Sequence, residues 1–257
     1  MAVAALHRAF DWRGQDRLVL VHGFTQTLRS WDALVETLAD TLQVMRVDLP
    51  GHGGSGGVDM TFEETAAAIG EAGGTATYVG YSMGGRLCLQ LAVDRPDLVR
   101  SLVVVGASPG LADDGERAAR RVADEELAAE IERTGTVAFL ERWLSRPMFS
   151  TLYPRPEDLE ARRANSPGGL AAALRRLGAG AQTPLWDRLG NLAMPVMAVA
   201  GQDDIRYTRI AEQMAAAIGD NAQVVALAGA GHAAHLEQVS SFGRLLAAFL
   251  ALHPPTS

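Results

Sequence analysis

Tyr78-Val79-Gly80-Tyr81-Ser82-Met83-Gly84-Gly85-Arg86 decides how the rest of the chain is read. β-Branched and aromatic residues run as a short strand into Gly-x-Ser-x-Gly, and Leu87, Leu89, Leu91 and Val93 continue as a helix. Between a strand and a helix this pattern is a nucleophile elbow. The turn is so sharp that Gly80 and Gly84 stand where a Cβ would clash. Ser82 is held at the tip, its hydroxyl exposed and a helix N-terminus behind it.

Working outward, Leu18–Val21, Ser101–Val105 and Pro195–Ala200 are short continuous apolar runs, the mark of strands buried on both faces. Val44–Val47 and Gln223–Leu227 read as further strands. Helices are expected over Trp31–Leu42, Thr61–Ile69, Tyr207–Ile218 and Leu236–Leu252, with Thr61 and Glu64 spaced as a capping box. Strands alternating with helices predict a parallel sheet covered on both faces, an α/β fold. From Leu111 to about Asn191 only helical periodicity is present. The expected organisation is therefore a core of residues 1–110 and 192–257 with a helical cap, 111–191, inserted between two core strands. Such an insertion emerges at the C-terminal edge of the sheet, over the crevice where ligands bind.

The bulk properties exclude several classes. The chain has 257 residues and a formal charge of -7, which argues against generic binding to nucleic acid or anionic membrane. It has no apolar run long enough to span a bilayer, so stable membrane insertion is not expected. A lone cysteine, Cys88, sits among apolar helix residues; it fits a core role and a reducing, cytoplasmic compartment. Every basic residue is arginine, which the Ala and Gly richness explains as genome composition rather than function. No metal-ligand spacing, P-loop or dinucleotide fingerprint is found.

A serine nucleophile needs a base to take its proton and an acid to orient that base. Gly201-Gln202-Asp203-Asp204 and Gly231-His232 each follow a predicted strand, and they come in the order acid, then histidine, after Ser82. His232 is the expected base. Asp204 is the expected acid on its Gly-x-x-Asp spacing, with Asp203 the runner-up. Asp48 precedes Ser82 and is expected to tie down its own Gly-rich loop. Two backbone amides should form an oxyanion hole: Met83, next to the nucleophile, and Phe24, in the loop after His22-Gly23. His22 itself is read as structural.

Arg86 stands one helical turn after Ser82 on the same face. A guanidinium buried there needs an anion beside it, either a protein carboxylate or a substrate's. The residues alone leave both open.

With the elbow, three further stretches carry a resemblance: Ser108-Pro109-Gly110-Leu111 with Glu116, Arg117 and Arg120 after it, Gly201 through Tyr207, and Ala230-Gly231-His232-Ala233-Ala234-His235. Trp143, Pro147-Met148-Phe149 and Arg163-Ala164-Asn165 extend it through the insertion. Together they resemble the 2-succinyl-6-hydroxy-2,4-cyclohexadiene-1-carboxylate synthases, menaquinone-pathway lyases of the α/β-hydrolase superfamily. The resemblance implies an α/β-hydrolase fold and elimination of pyruvate from a small polycarboxylate, without a cofactor. It also implies a carboxylate clamp of Arg86, Arg120 and Arg163, with Tyr81 and Trp143 lining the pocket. Arg117 and Arg121 flank one of those arginines and Arg162 another, so the register stays open by one residue. Ser108, where the family often has histidine, and Asn165-Ser166-Pro167, in place of an asparagine run, depart from the family pattern. The rival readings are a serine hydrolase of an ester or carbon–carbon bond and a non-catalytic receptor; the arginine set disfavours the first and the complete triad the second.

Overall fold

The computed structural model describes residues 5–12, 14, 16–38 and 42–254. Seven strands form one sheet: β1 (Arg8–Trp12), β2 (Asp16–Val21), β3 (Leu42–Val47), β4 (Ala76–Tyr81), β5 (Val99–Val105), β6 (Val196–Gly201) and β7 (Ala222–Leu227). Their spatial order is β1-β3-β2-β4-β5-β6-β7, with β1 antiparallel to β3 and every other pair parallel. The chain leaves β2 toward one edge and returns to pair β4 on the other side of β2. The strand order therefore reverses between β2 and β4, and a crevice opens beyond their C-terminal ends. His22-Gly23 and Ser82 lie at those two ends.

The continuous apolar runs become the central strands. Leu18, Leu20, Val79, Val103 and Val105 face one side; Val19, Val21, Tyr78, Leu102 and Val104 face the other. Each such side chain, taken fully out of water, contributes about 1.5–3 kcal/mol. One face is covered by α2 (Phe62–Gly73), α3 (Met83–Asp94) and α8 (Ile205–Ile218); the other by α1 (Asp32–Val35), α9 (Ala234–Glu237) and α10 (Val239–Leu252). Between β5 and β6 lie α4 (Asp114–Thr134), α5 (Thr136–Leu144), α6 (Pro156–Arg163) and α7 (Pro167–Leu177). They have a small core of their own around Ile131, Phe139 and Leu170. Among the described residues, no helix is long and apolar enough to cross a membrane.

Local chemistry sets the boundaries. The capping box at α2 is formed in both directions, Thr61 with the Glu64 amide and the Glu64 carboxylate with the Thr61 amide. Two expectations are corrected and one strand is added. The helix expected over Trp31–Leu42 reduces to a 3-10 turn, Leu28–Trp31, and the four residues of α1, because the Thr37 hydroxyl donates to the Leu34 carbonyl and competes with the helical ladder. The end of that expected helix, at residues 39–41, lies outside the described residues, and Leu42 already belongs to β3. The last helix is interrupted at Gln238, whose backbone is non-helical and whose side-chain amide donates to the Gly229 carbonyl. Finally, β1 was not anticipated: it is a short edge strand with Phe10 41% exposed, so it lacks the buried alternation that identifies a strand.

Candidate active site

The elbow is built by close backbone approach. A Cβ on Gly80 would lie 2.5 Å from the Gly84 carbonyl oxygen, and one on Gly84 would lie 2.3 Å from that of Val21. Ser82 is forced to φ 50, ψ -108, a sterically costly region for a residue with a side chain. Its amide donates to the Val105 carbonyl at 2.8 Å and its carbonyl accepts from the Arg86 amide, so the strained turn is held at both ends.

His232 stands in the loop after β7, 2% exposed, with Nε2 3.3 Å from Ser82 Oγ and Nδ1 2.8 Å from Asp204 Oδ2. Asp204 caps α8, its Oδ1 accepting from the Tyr207 amide. That second bond fixes the carboxylate in the direction of His232. Asp203 is exposed, and its amide donates to the Ala230 carbonyl. Glu237 was not singled out from sequence. Its two carboxylate oxygens accept from the amides of Gly231 and Ala233, at 2.7 and 3.0 Å, on either side of His232. An acid in the turn after the histidine was the available signal.

Phe24 and Met83 line the same cavity as Ser82, about 410 Å³ in volume. Met83 is the first residue of α3, where free amides point out of the helix. Tyr81 is 3% exposed, its ring 5.4 Å from that of His232, and burial keeps its phenol above its ordinary range. Trp143 packs edge-on to Phe24 at 5.4 Å. His22 is fully buried, accepting from the Leu49 amide through Nε2, and burial pushes it down to about 4. Asp48 accepts from the Gly54 amide, within the loop it was expected to tie down, and also from the Leu28 amide in the turn after β2.

The arginines divide. Arg86 lines the cavity and is 8% exposed; it donates to Gln182 Oε1 and to the Leu177 carbonyl, neither of them charged. Burial, with Arg120's charge adding to it, pushes its guanidinium down to about 10. The nearby acid Asp124 is bonded instead to Arg120 Nε and to the Gly180 amide. Arg120 is the member of its cluster that reaches the cavity. Arg117 turns to the Leu111 carbonyl and Arg121 to that of Gly180. Arg163 is not brought to the site: it is exposed on α6, and the cavity lining does not include it. Its neighbour Arg162 points inward but pairs with Asp158 and Thr25. One residue is 100° around a helix, which is why only one of the two can face the core. The cavity gains Arg146 instead, its guanidinium 4.3 Å over the Trp143 ring and its charge disfavoured by partial burial. Arg206 sits exposed on the lining, beside Tyr207.

A serine, a histidine and a carboxylate in hydrogen-bonding sequence at strand ends, on a doubly covered parallel sheet, define an α/β hydrolase. The alpha/beta hydrolase family model matches residues 18–241, and the chain belongs to that family. Within it, the chain belongs with the 2-succinyl-6-hydroxy-2,4-cyclohexadiene-1-carboxylate synthases. It is 31% identical over 247 residues to the enzyme of that name from Salmonella agona (strain SL483), covering 93% of this chain and 95% of the relative. Among solved structures, MenH from S. aureus superposes with a TM-score of 0.90 at 28% identity, covering 96% of this chain and 98% of that one. The malate-bound thermophilic esterase from Thermogutta terrifontis superposes with a TM-score of 0.82 at 25% identity, covering 97% and 95%.

Proposed function

We propose that the protein eliminates pyruvate from 2-succinyl-5-enolpyruvyl-6-hydroxy-3-cyclohexene-1-carboxylate, giving 2-succinyl-6-hydroxy-2,4-cyclohexadiene-1-carboxylate. The named activity of its relatives supports this, and so does one observation: Arg86 is a buried guanidinium with no charged partner in the cavity that holds Ser82. A buried cation is costly until an anion joins it. The substrate carries three carboxylates, on the succinyl arm, the ring and the enolpyruvyl group. Arg86, Arg120 and Arg146, all lining that cavity, offer planar forks for them.

In this reading Ser82 Oγ, its proton drawn off by His232, takes the ring hydrogen α to the succinyl carbonyl. Asp204 holds the histidine in the tautomer and orientation that accept that proton. The enolate charge settles on the carbonyl oxygen, facing the Phe24 and Met83 amides. The electron pair then moves around the ring, shifts the double bond and breaks the carbon–oxygen bond to enolpyruvate, which ketonises to pyruvate. Tyr81 and Trp143 wall the ring, and the helices between β5 and β6 act as a cap over it. A small charged substrate, with no nucleic acid involved, suits an enzyme of the cytoplasm.

Ester hydrolysis is the second reading, favoured by the likeness to an esterase and by a triad that serves acyl transfer equally well. Incubation with the enolpyruvyl substrate, coupled to lactate dehydrogenase, separates the two. Pyruvate release well above background is the expected result; hydrolysis of neutral esters without any pyruvate release would make the protein an esterase.

A further inference from the structure

Among the described residues, only two non-glycine residues have positive φ: Ser82, at 50°, and Thr25, at 68°. The elbow accounts for the first. Thr25 follows Phe24, and a β-branched residue in the left-handed region is a genuine outlier that persists only when its surroundings over-determine it. Its surroundings do. The Thr25 amide donates to His52 Nε2 at 3.2 Å, its carbonyl accepts from Asn165 Nδ2 at 2.9 Å, and its hydroxyl accepts from Arg162 at 3.3 Å. Every polar group of this fully buried residue is therefore engaged. Two of the three partners come from the helical insertion, 137 and 140 positions along the chain.

Those partners are themselves fixed. Asn165 is 5% exposed, and its Oδ1 accepts from the Gly53 amide at 2.8 Å, so its amide group can point only one way. The Thr136 hydroxyl donates to the Asn165 carbonyl. Arg162, 2% exposed, donates through Nε to Asp158 on the preceding turn of α6. His52 Nδ1 lies 2.9 Å from the Pro50 carbonyl, which requires hydrogen there and leaves Nε2 as the acceptor Thr25 needs.

We propose that Arg162 and Asn165 are positioning residues: they clamp Thr25 in its left-handed conformation and so hold the Phe24 amide toward the charge that develops beside Ser82. The inference rests on the reading of Phe24 as an oxyanion donor. It gives the insertion a second task besides roofing the pocket, because the geometry of the hole then depends on α6 being docked.

The test is Asn165→Ala, alone and with Thr25→Gly, since glycine adopts positive φ without a side-chain penalty. Two rates are measured. The first is pyruvate release. The second is labelling of Ser82 by a fluorophosphonate, in which Oγ displaces fluoride at phosphorus while its proton passes to His232; this needs the hole but not the natural substrate. Loss of a whole oxyanion donor costs about 100- to 1000-fold, so a loosened one should lower kcat and the labelling rate by at least about tenfold. KM should change less than about twofold, and Thr25→Gly should restore most of the loss. Asn165→Asp keeps an acceptor for the Gly53 amide but turns a carboxylate oxygen toward the Thr25 carbonyl in place of the donor, so it should lower both rates at least as far as the alanine variant and repeats the test if that variant fails to fold. Undiminished labelling in a folded variant, or a loss that Thr25→Gly does not lessen, would overturn the proposal. So would a wild-type Ser82 that the probe leaves unlabelled. A wild type that is labelled but releases no pyruvate would instead defeat the proposed reaction, leaving the clamp to be judged on the labelling rates.

Discussion

The sheet and the helical insertion both contribute to one cavity, but they position their residues by different means. Ser82, Asp204 and His232 stand at the C-terminal ends of β4, β6 and β7, so parallel topology alone brings them to one edge. Arg120 and Arg146 project from α4 and from the turn after α5, where a change of one position swings a side chain from cavity to solvent. Strand ends fix which loops meet. Within a loop or a helix, one position decides which side chain reaches the cavity, as Asp204 against Asp203 and Arg120 against Arg121 show.

That contrast predicts a graded series of losses. Ser82→Ala should lower kcat by about 10⁴-fold or more, and Asp204→Asn by about 100-fold or more, while Asp203→Asn stays near wild type. Similar losses at both aspartates, measured by pyruvate release, would break the assignment of the sheet edge. Arg86→Ala should cost about 10- to 100-fold in kcat/KM on the carboxylated substrate, the scale of one or two charged hydrogen bonds, and leave hydrolysis of a small neutral ester nearly unchanged. Equal losses on both substrates would refute its role in recognition. Smaller still, Arg146→Ala should raise KM by about tenfold and Arg163→Ala by less than about twofold. The reverse order would return the clamp to α6.

Stability should follow pH through the buried histidines. Burial pushes His22 from its ordinary 6.5 down to about 4, and His52 to about 3. The folded state refuses protons that the unfolded chain binds. Their contribution is therefore complete above pH 6.5 and falls as pH drops toward 4, by up to about 1.4 kcal/mol per pH unit for each. Urea midpoints at pH 7 and pH 5 check the sign; a higher midpoint at pH 5 would contradict it.

The same contrast explains what could be read from sequence. The apolar runs of β2, β5 and β6, the elbow at Ser82 and the turns carrying Asp204 and His232 were legible because each depends on local pattern. The edge strand β1 was not, since half its surface faces water and its partner β3 lies more than thirty residues away. Arg120 was expected with Arg117 and Arg121 as its alternatives, and of α6 neither the expected Arg163 nor its alternative Arg162 lines the cavity. Arg162 faces inward because Asp158 precedes it by one turn and Thr25 waits across the loop, a contact spanning 137 positions. Arg146 carried a signal that went unused: it follows Trp143 by three residues, close enough to stack on that ring.

One measurement bears most directly on proton abstraction followed by elimination: the mass of the ring product released together with pyruvate. Elimination predicts a conjugated cyclohexadiene, lighter than the substrate by the mass of pyruvic acid. A ring product heavier than that by one water, keeping a hydroxyl where the enolpyruvyl group was attached, would mean that Ser82 serves hydrolysis instead.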